Sequence, residues 1–370
     1  MRRPRVKSSQ CPARFPDKRI QIGWIYDTAS EITDDDEGTI WRLLELMDGT
    51  RSPEDIVGTM IIERPSLDVP SLRSALGDLM ESGYIEDADA DVPDQLSSEE
   101  LDRYSRNNEF FNCIDTAVRT SRYELQNNLK MSKVAVIGLG GVGSTVAMSL
   151  AAAGVGTLRC VDFDRVEVSN LTRQLLYTEN DIGQSKVAGA VARLRSMNRH
   201  AAVEGVELEV SSQADARACL DGMDFAVLCT DHPRENVDFW VNDAASELGT
   251  PWAVCSYNGP LVCTGVIIPR KTPCYRCFAH VHPSPWSPES GSGAQLMERS
   301  SGVMGVIAPT AGVAGHLAAL EVIYFLIGLR VQTAGRIWFR NMFVYDQAYN
   351  VELSFWDECP ACGEAALGAS

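Results

Sequence analysis

Gly138-Leu139-Gly140-Gly141-Val142-Gly143 follows directly on the strand-like run Lys133-Val134-Ala135-Val136-Ile137, and it opens a helix of small residues over 144–153. Glycines let a backbone turn tightly and approach a phosphate, while the helix N-terminus aims amides and dipole at it. A second strand over 156–161 ends in Asp162, placed downstream of the turn where an acid holds a ribose hydroxyl. That much suits NAD as well as ATP. The stretch that follows separates them, because Asp164, Asn170, Arg173, Gln174 and Lys186 gather cations and amides beside the turn. Hydride transfer has little use for them. A triphosphate with a leaving pyrophosphate needs such cations. A third strand over 224–230 ends in Asp231, an oxygen ligand suited to Mg²⁺ at the carboxyl edge of a sheet. ATP and Mg²⁺ are therefore the expected nucleotide and ion.

Cysteine spacing gives the second centre: Cys274 and Cys277 form one CxxC pair, Cys359 and Cys362 another. Two such knuckles favour a tetrahedral Zn²⁺ site with no open coordination position, structural rather than catalytic. It ties the end of the chain back onto its domain. Most of the remaining cysteines, of eleven in all, read as reduced, small buried hydrophobes.

The motifs are ordered as in the ThiF/MoeB/HesA family of ubiquitin-activating-type adenylating enzymes, which the chain resembles over about 103–365. They are Arg103-Tyr104-Ser105-Arg106, the glycine turn, DFDxVxxSNLxRQ, the GxxK ending in Lys186, CTD with Arg234 downstream, PCYRC, and GVxAPxxGxxGxxxALE at 305–321. The resemblance implies that Asp162 binds ribose, that Arg173 and Lys186 bind phosphates, and that Asn170 and Gln174 shape the pocket. It implies magnesium on Asp231, the same zinc quartet, and an Arg106 that reaches into the neighbouring subunit's site, hence a homodimer. Relatives that pass an activated protein to a thioester keep a cysteine in the crossover loop. Residues 278–304, rich in Pro, Ser and Gly, contain none.

These motifs need a framework, and the expected fold class is α/β, a Rossmann-type doubly wound sheet with a small N-terminal α+β winged-helix-like domain. Residues 1–19 are basic and aperiodic and read as a mobile arm. Residues 20–90 begin with a strand over 19–26. A helix follows the acids Asp34 to Glu37. A second starts at Ser52-Pro53 with Ser52 as cap, a third spans 71–81, and a strand closes at 83–86. Residues 91–102 read as a linker, 103–130 as helical, and 366–370 as a tail. A winged helix suggests DNA, but residues 27–91 hold eighteen acids against four Arg and no Lys. Nucleic-acid binding is excluded on that charge. The order and the phrase Asp48-Gly-Thr-Arg-Ser-Pro-Glu-Asp-Ile56 resemble the PqqD-like peptide-recognition domain, which takes a leader peptide as an added strand.

The whole chain of 370 residues has a net charge of −17, which disfavours anionic surfaces. No uninterrupted apolar run suits a membrane span, and no signal-peptide core follows the basic start, so a cytoplasmic protein is expected. The combined expectation is an ATP-dependent adenylyltransferase. Its substrate would be a carboxylate of a ribosomally made precursor peptide, as in members that modify microcin or pantocin precursors. The alternatives are a non-catalytic delivery partner of a cyclodehydratase and an activator of a sulfur-carrier protein.

Overall fold

The computed structural model describes residues 1–25, 28–230, 232–233, 236–281 and 305–363. The chain divides into two units, Met1–Asn128 and Leu129–Ser370.

The first unit runs β1 (Pro4–Val6), β2 (Ala13–Arg14), β3 (Arg19–Ile22), β4 (Ser30–Thr33), α1 (Thr39–Leu46), α2 (Pro53–Glu63), α3 (Val69–Glu81) and β5 (Ile85–Asp87). Then come α4 (Ser98–Arg103), α5 (Ser105–Ile114) and the start of α6 (Glu124–Met131), whose last residues belong to the second unit. Local chemistry sets the helix starts. Asp35 and Asp34 accept from the amides of Thr39 and Ile40 at 2.9 and 2.8 Å, so the acidic run caps α1. Ser52 and Asp55 form a reciprocal capping box on α2, with Pro53 in its first turn. Asp68 caps α3. The helices bury Leu43, Met47, Ile56, Met60, Leu72 and Leu76 against Ile20, Ile22 and Ile85.

The mobile arm expected at 1–19 is not one. β1 pairs antiparallel with β5, and β2 with β3, which with β4 makes a three-stranded sheet. Charge explains the difference. Arg5 lies 2.6 Å from Glu86, and the Arg3 amide donates to Asp87 at 3.0 Å, so the basic terminus is drawn onto an acidic strand. The strand expected over 19–26 stops at Ile22, before Gly23 at φ +81°, and Tyr26 lies outside the described residues. α4 begins inside the stretch read as a linker. Residues 103–128 fall in the first unit rather than with the Rossmann domain.

The second unit runs β6 (Lys133–Ile137), α7 (Gly141–Ala153), β7 (Thr157–Asp162), α8 (Lys186–Met197), β8 (Ala202–Glu207), α9 (Gln213–Leu220), β9 (Phe225–Leu228), α10 (Val237–Leu248) and β10 (Trp252–Asn258). It continues through β11 (Leu261–Ile267), α11 (Tyr275–Val281), α12 (Ala308–Leu326), β12 (Arg336–Asn341) and β13 (Ala348–Glu352). The eight strands lie in the order β13-β12-β11-β10-β9-β6-β7-β8. β8, β7, β6, β9 and β10 are parallel, and β11 to β13 extend them antiparallel. This is the expected doubly wound sheet. Strand order reverses between β6 and β9, the switch point where such sheets open a crevice at their carboxyl ends.

α12 is long and apolar enough to cross a membrane by composition. It packs on α7, β10 and β11, and its buried Glu321 accepts from the Thr333 amide at 2.7 Å and hydroxyl at 2.6 Å. These are the contacts of a core helix.

α7 meets the sheet through absent side chains. A Cβ on Gly143 would stand 1.8 Å from the Gly138 carbonyl oxygen. Gly143→Ala must therefore push the helix off the strand. It is expected to destabilise the second unit by about 1–3 kcal/mol or more, read as a lower melting temperature by circular dichroism. An unchanged melting temperature would mean that the interface has slack.

Candidate active site

A cleft of about 500 Å³ opens at the switch point, a size suited to a nucleotide. Its floor is the glycine turn, with Gly138, Gly140 and Gly141 in the lining and α7 starting at Gly141. Gly138 adopts φ +92°, and a Cβ there would stand 2.8 Å from the Thr230 amide nitrogen, so only glycine fits. Gly143 lies behind the lining, in the helix–strand contact.

Asp162, at the end of β7, is nearly buried and lines the cleft. One carboxylate oxygen accepts from the Leu139 amide at 2.6 Å and the other from the Asp164 amide at 2.8 Å. It thus clamps the turn to the next loop while keeping lone pairs for a ligand hydroxyl. Asp164 also lines the cleft and receives the Lys186 ammonium at 2.7 Å. The Lys186 side chain is only 7 % exposed. One carboxylate leaves two of its N–H donors for a phosphate.

Arg173 and Gln174 enter the cleft from a 3-10 turn over Val168–Thr172. Asn170 shapes that turn. Its side chain accepts from the Glu167 amide at 3.2 Å, and its carbonyl from the amides of Arg173 and Gln174. Asn170 itself is not in the cleft lining. The Nε of Arg173 and the Oε1 of Gln174 are buried without a partner. A buried polar atom left unmade is costly, so two of them at one cleft mark where a ligand belongs.

Six of the sequence-nominated residues therefore converge with the glycine turn: Asp162, Asp164, Arg173, Gln174, Lys186 and, behind them, Asn170. Asp231 and Arg234 lie outside the described residues, as do His282 and 283–304 of the crossover loop. Arg106 is exposed on α5 of the first unit. Four contributors went unread. Tyr177 donates its hydroxyl to the Leu139 carbonyl at 3.1 Å from a buried position, and burial pushes its phenol well above the usual range. Phe163, His232 and Tyr257 line the cleft. Phe163 and His232 rings meet at 5.7 Å, and His232 Nε2 is 3.4 Å from Glu209. Strand order alone brings Tyr257 there, because β10 runs parallel beside β9.

The four quartet cysteines are buried, and their sulfurs all lie within 4.8 Å of one another. Cys274 is 3.5 Å from Cys359, Cys277 is 3.4 Å from Cys362, and Cys274 is 3.9 Å from Cys277. Sulfurs bound tetrahedrally at about 2.3 Å stand about 3.8 Å apart, so the donor set fits one metal ion. Burial pushes the Cys274 thiol up to about 12, which leaves it protonated unless a cation draws the proton off. Arg276, between the first two cysteines, pairs with Asp243 of α10 at 2.5 Å.

A family model described as the ThiF family matches residues 114–361. The chain belongs to that family. It is 34 % identical over 280 residues to a sulfur carrier protein adenylyltransferase of Thermus thermophilus, covering 72 % of this chain and 93 % of that protein. It is 30 % identical over 275 residues to the molybdopterin-synthase adenylyltransferase of Escherichia coli, covering 73 % and 99 %. The chain spans about half the length of the fused adenylyltransferase and sulfurtransferase relatives it also matches. Among solved structures, Escherichia coli MccB with ATP has a TM-score of 0.75 at 22 % identity, covering 97 % of this chain and 99 % of that one. Membership makes the chain an ATP-using adenylyltransferase.

Lys186→Ala removes one charge-assisted donor set and is expected to weaken ATP binding about tenfold to a hundredfold. Titration calorimetry checks this, and unchanged affinity would place the phosphates elsewhere. The quartet is expected to hold one metal ion per chain by elemental analysis. Cys359→Ser should lose that ion and lower the melting temperature by more than about 5 °C, since each kcal/mol shifts a unit of this size by roughly 2–4 °C.

Proposed function

We propose that the chain adenylates a carboxylate of a ribosomally made precursor peptide whose leader is recruited by the first unit. The observation that carries this reading is the first unit itself. The sulfur-carrier and molybdopterin-synthase relatives are almost fully covered by under three quarters of this chain. MccB, described as a microcin C7 biosynthetic enzyme and solved in complex with N-formylated MccA, matches 97 % of it. In support, the order of strands and helices in this unit resembles that of a PqqD-like domain, and β4 is an outer strand of its three-stranded sheet among the described residues. An extended leader would add there as a further strand.

In the reaction, the peptide carboxylate, already ionised at neutral pH, attacks the α-phosphorus of ATP. A bond forms from carboxylate oxygen to phosphorus, the α–β bridge breaks, and pyrophosphate leaves with its electron pair. Asp162 holds the ribose. Lys186 and Arg173 carry charge on the phosphates, joined by Arg106 of a second copy in a homodimer. Asp231 would hold Mg²⁺ to neutralise the leaving group. Zn²⁺ fits the all-sulfur quartet and would be structural. A peptide amide or amine could then take the acyl group. A cytoplasmic location suits free thiols and ATP.

A second reading, activation of a sulfur-carrier protein, is favoured by the higher sequence identity of those relatives. A non-catalytic delivery role is disfavoured, because such a protein needs neither the paired Lys186 nor the partnerless Arg173 Nε and Gln174 Oε1. Pyrophosphate exchange into ATP distinguishes all three. Exchange is expected with a leader-bearing precursor peptide and should drop at least about tenfold when the leader is removed. Exchange with a sulfur carrier alone would support the second reading, and none with any acceptor would support the third.

A further inference from the structure

Cys229 follows β9 at its carboxyl end, is half-buried and lines the cleft. Cys255 on β10 is buried. The two strands are parallel and in register, with Val227 beside Ala253 and Leu228 beside Val254. One step further along, Cys229 and Cys255 stand side by side, and their sulfurs are 3.5 Å apart. Neighbouring strands run about 4.8 Å apart, inside the Cα separation of roughly 4.4–6.8 Å that a disulfide spans. Cys263 does not compete for Cys255. It stands opposite Ser256, and successive residues of a strand face opposite ways.

We infer that Cys229 and Cys255 form a dithiol whose oxidation to a disulfide weakens nucleotide binding in the cleft. This rests on the reading of that cleft as the ATP site. An oxidant of the hydroperoxide class reaches Cys229 through the cleft and leaves it as a sulfenic acid, with release of one water for hydrogen peroxide. The Cys255 sulfur then displaces the hydroxyl group. The S–S bond forms, and the displaced hydroxide leaves with the Cys255 proton as a second water. Two thiols and one peroxide thus give one disulfide and two waters, and a dithiol reductant restores both thiols.

Contact with the glycine turn links the sulfur chemistry to the nucleotide. A Cβ on Gly138 would stand 2.9 Å from the Cys229 carbonyl carbon, and one on Gly143 would stand 3.1 Å from the Cys229 Cβ. The turn therefore rests on Cys229 with no slack. Shortening the sulfur separation to about 2.05 Å draws Cys229 toward β10 and disturbs the surface on which the turn is packed.

The test uses the full chain, treated with hydrogen peroxide and compared with the reduced protein by peptide mass spectrometry and by ATP calorimetry. The expected result is a peptide pair joined through Cys229 and Cys255. ATP dissociation should rise at least about fivefold and return on addition of dithiothreitol. Cys255→Ser should bind ATP like the reduced chain and keep its affinity after peroxide, with Cys255→Ala as the replacement if the serine variant does not fold. The inference is overturned if peroxide leaves these two thiols unlinked, if it links only quartet cysteines, or if the disulfide forms and ATP affinity does not change. Failure of the reduced chain to bind ATP would instead overturn the assignment of the cleft.

Discussion

The contact on which the second unit depends is between two glycines. Gly143 brings the first turn of α7 against the Gly138 carbonyl, at a distance that excludes any side chain. Gly138 in turn lies over the Cys229–Thr230 peptide in a left-handed conformation. This close packing aims the α7 amides at the cleft, and it joins β6 and β9 at the point where the strand order reverses. The cations and carboxylates around the turn are placed by what it leaves open.

Asp162 ties the turn to the rest of the site. Its two oxygens hold the amides of Leu139 and Asp164, so one carboxylate positions the phosphate-facing loop and the loop that carries the counter-ion of Lys186. Tyr177 and Ser144 both donate to the Leu139 carbonyl, at 3.1 and 2.9 Å. The turn is held at both ends of one residue before any ligand arrives. Such preorganisation is what electrostatic catalysis requires, since groups already fixed do not reorganise during reaction.

Features with short-range causes were legible in the sequence. The glycine turn, the Ser52 cap, the three helices after Asp34 and the two CxxC pairs each depend on residues within a few positions. What could not be read depends on distant partners. Residues 1–19 read as a mobile arm until β5 supplied Glu86 and Asp87 as the complement of Arg5 and the Arg3 amide. Residues 103–130 read as helical, and the helical stretch is interrupted where Asp115 ends α5 and pairs with Arg119 at 2.9 Å. Tyr257 and Phe163 carry no local signal for a cleft. Asn170 was nominated as a pocket residue, and its bonds place it as the brace of the turn that presents Arg173 and Gln174.

The pairing of Lys186 with Asp164 also governs how the site meets its ligand. The buried Lys186 ammonium already has a resident anion in Asp164, so it is not left as an uncompensated buried charge. An incoming triphosphate must share that lysine with Asp164 rather than strip it of bulk chloride. Exchange of one internal anion for another releases few ions to solvent, and binding there should depend on salt less steeply than a count of the cleft's cations suggests.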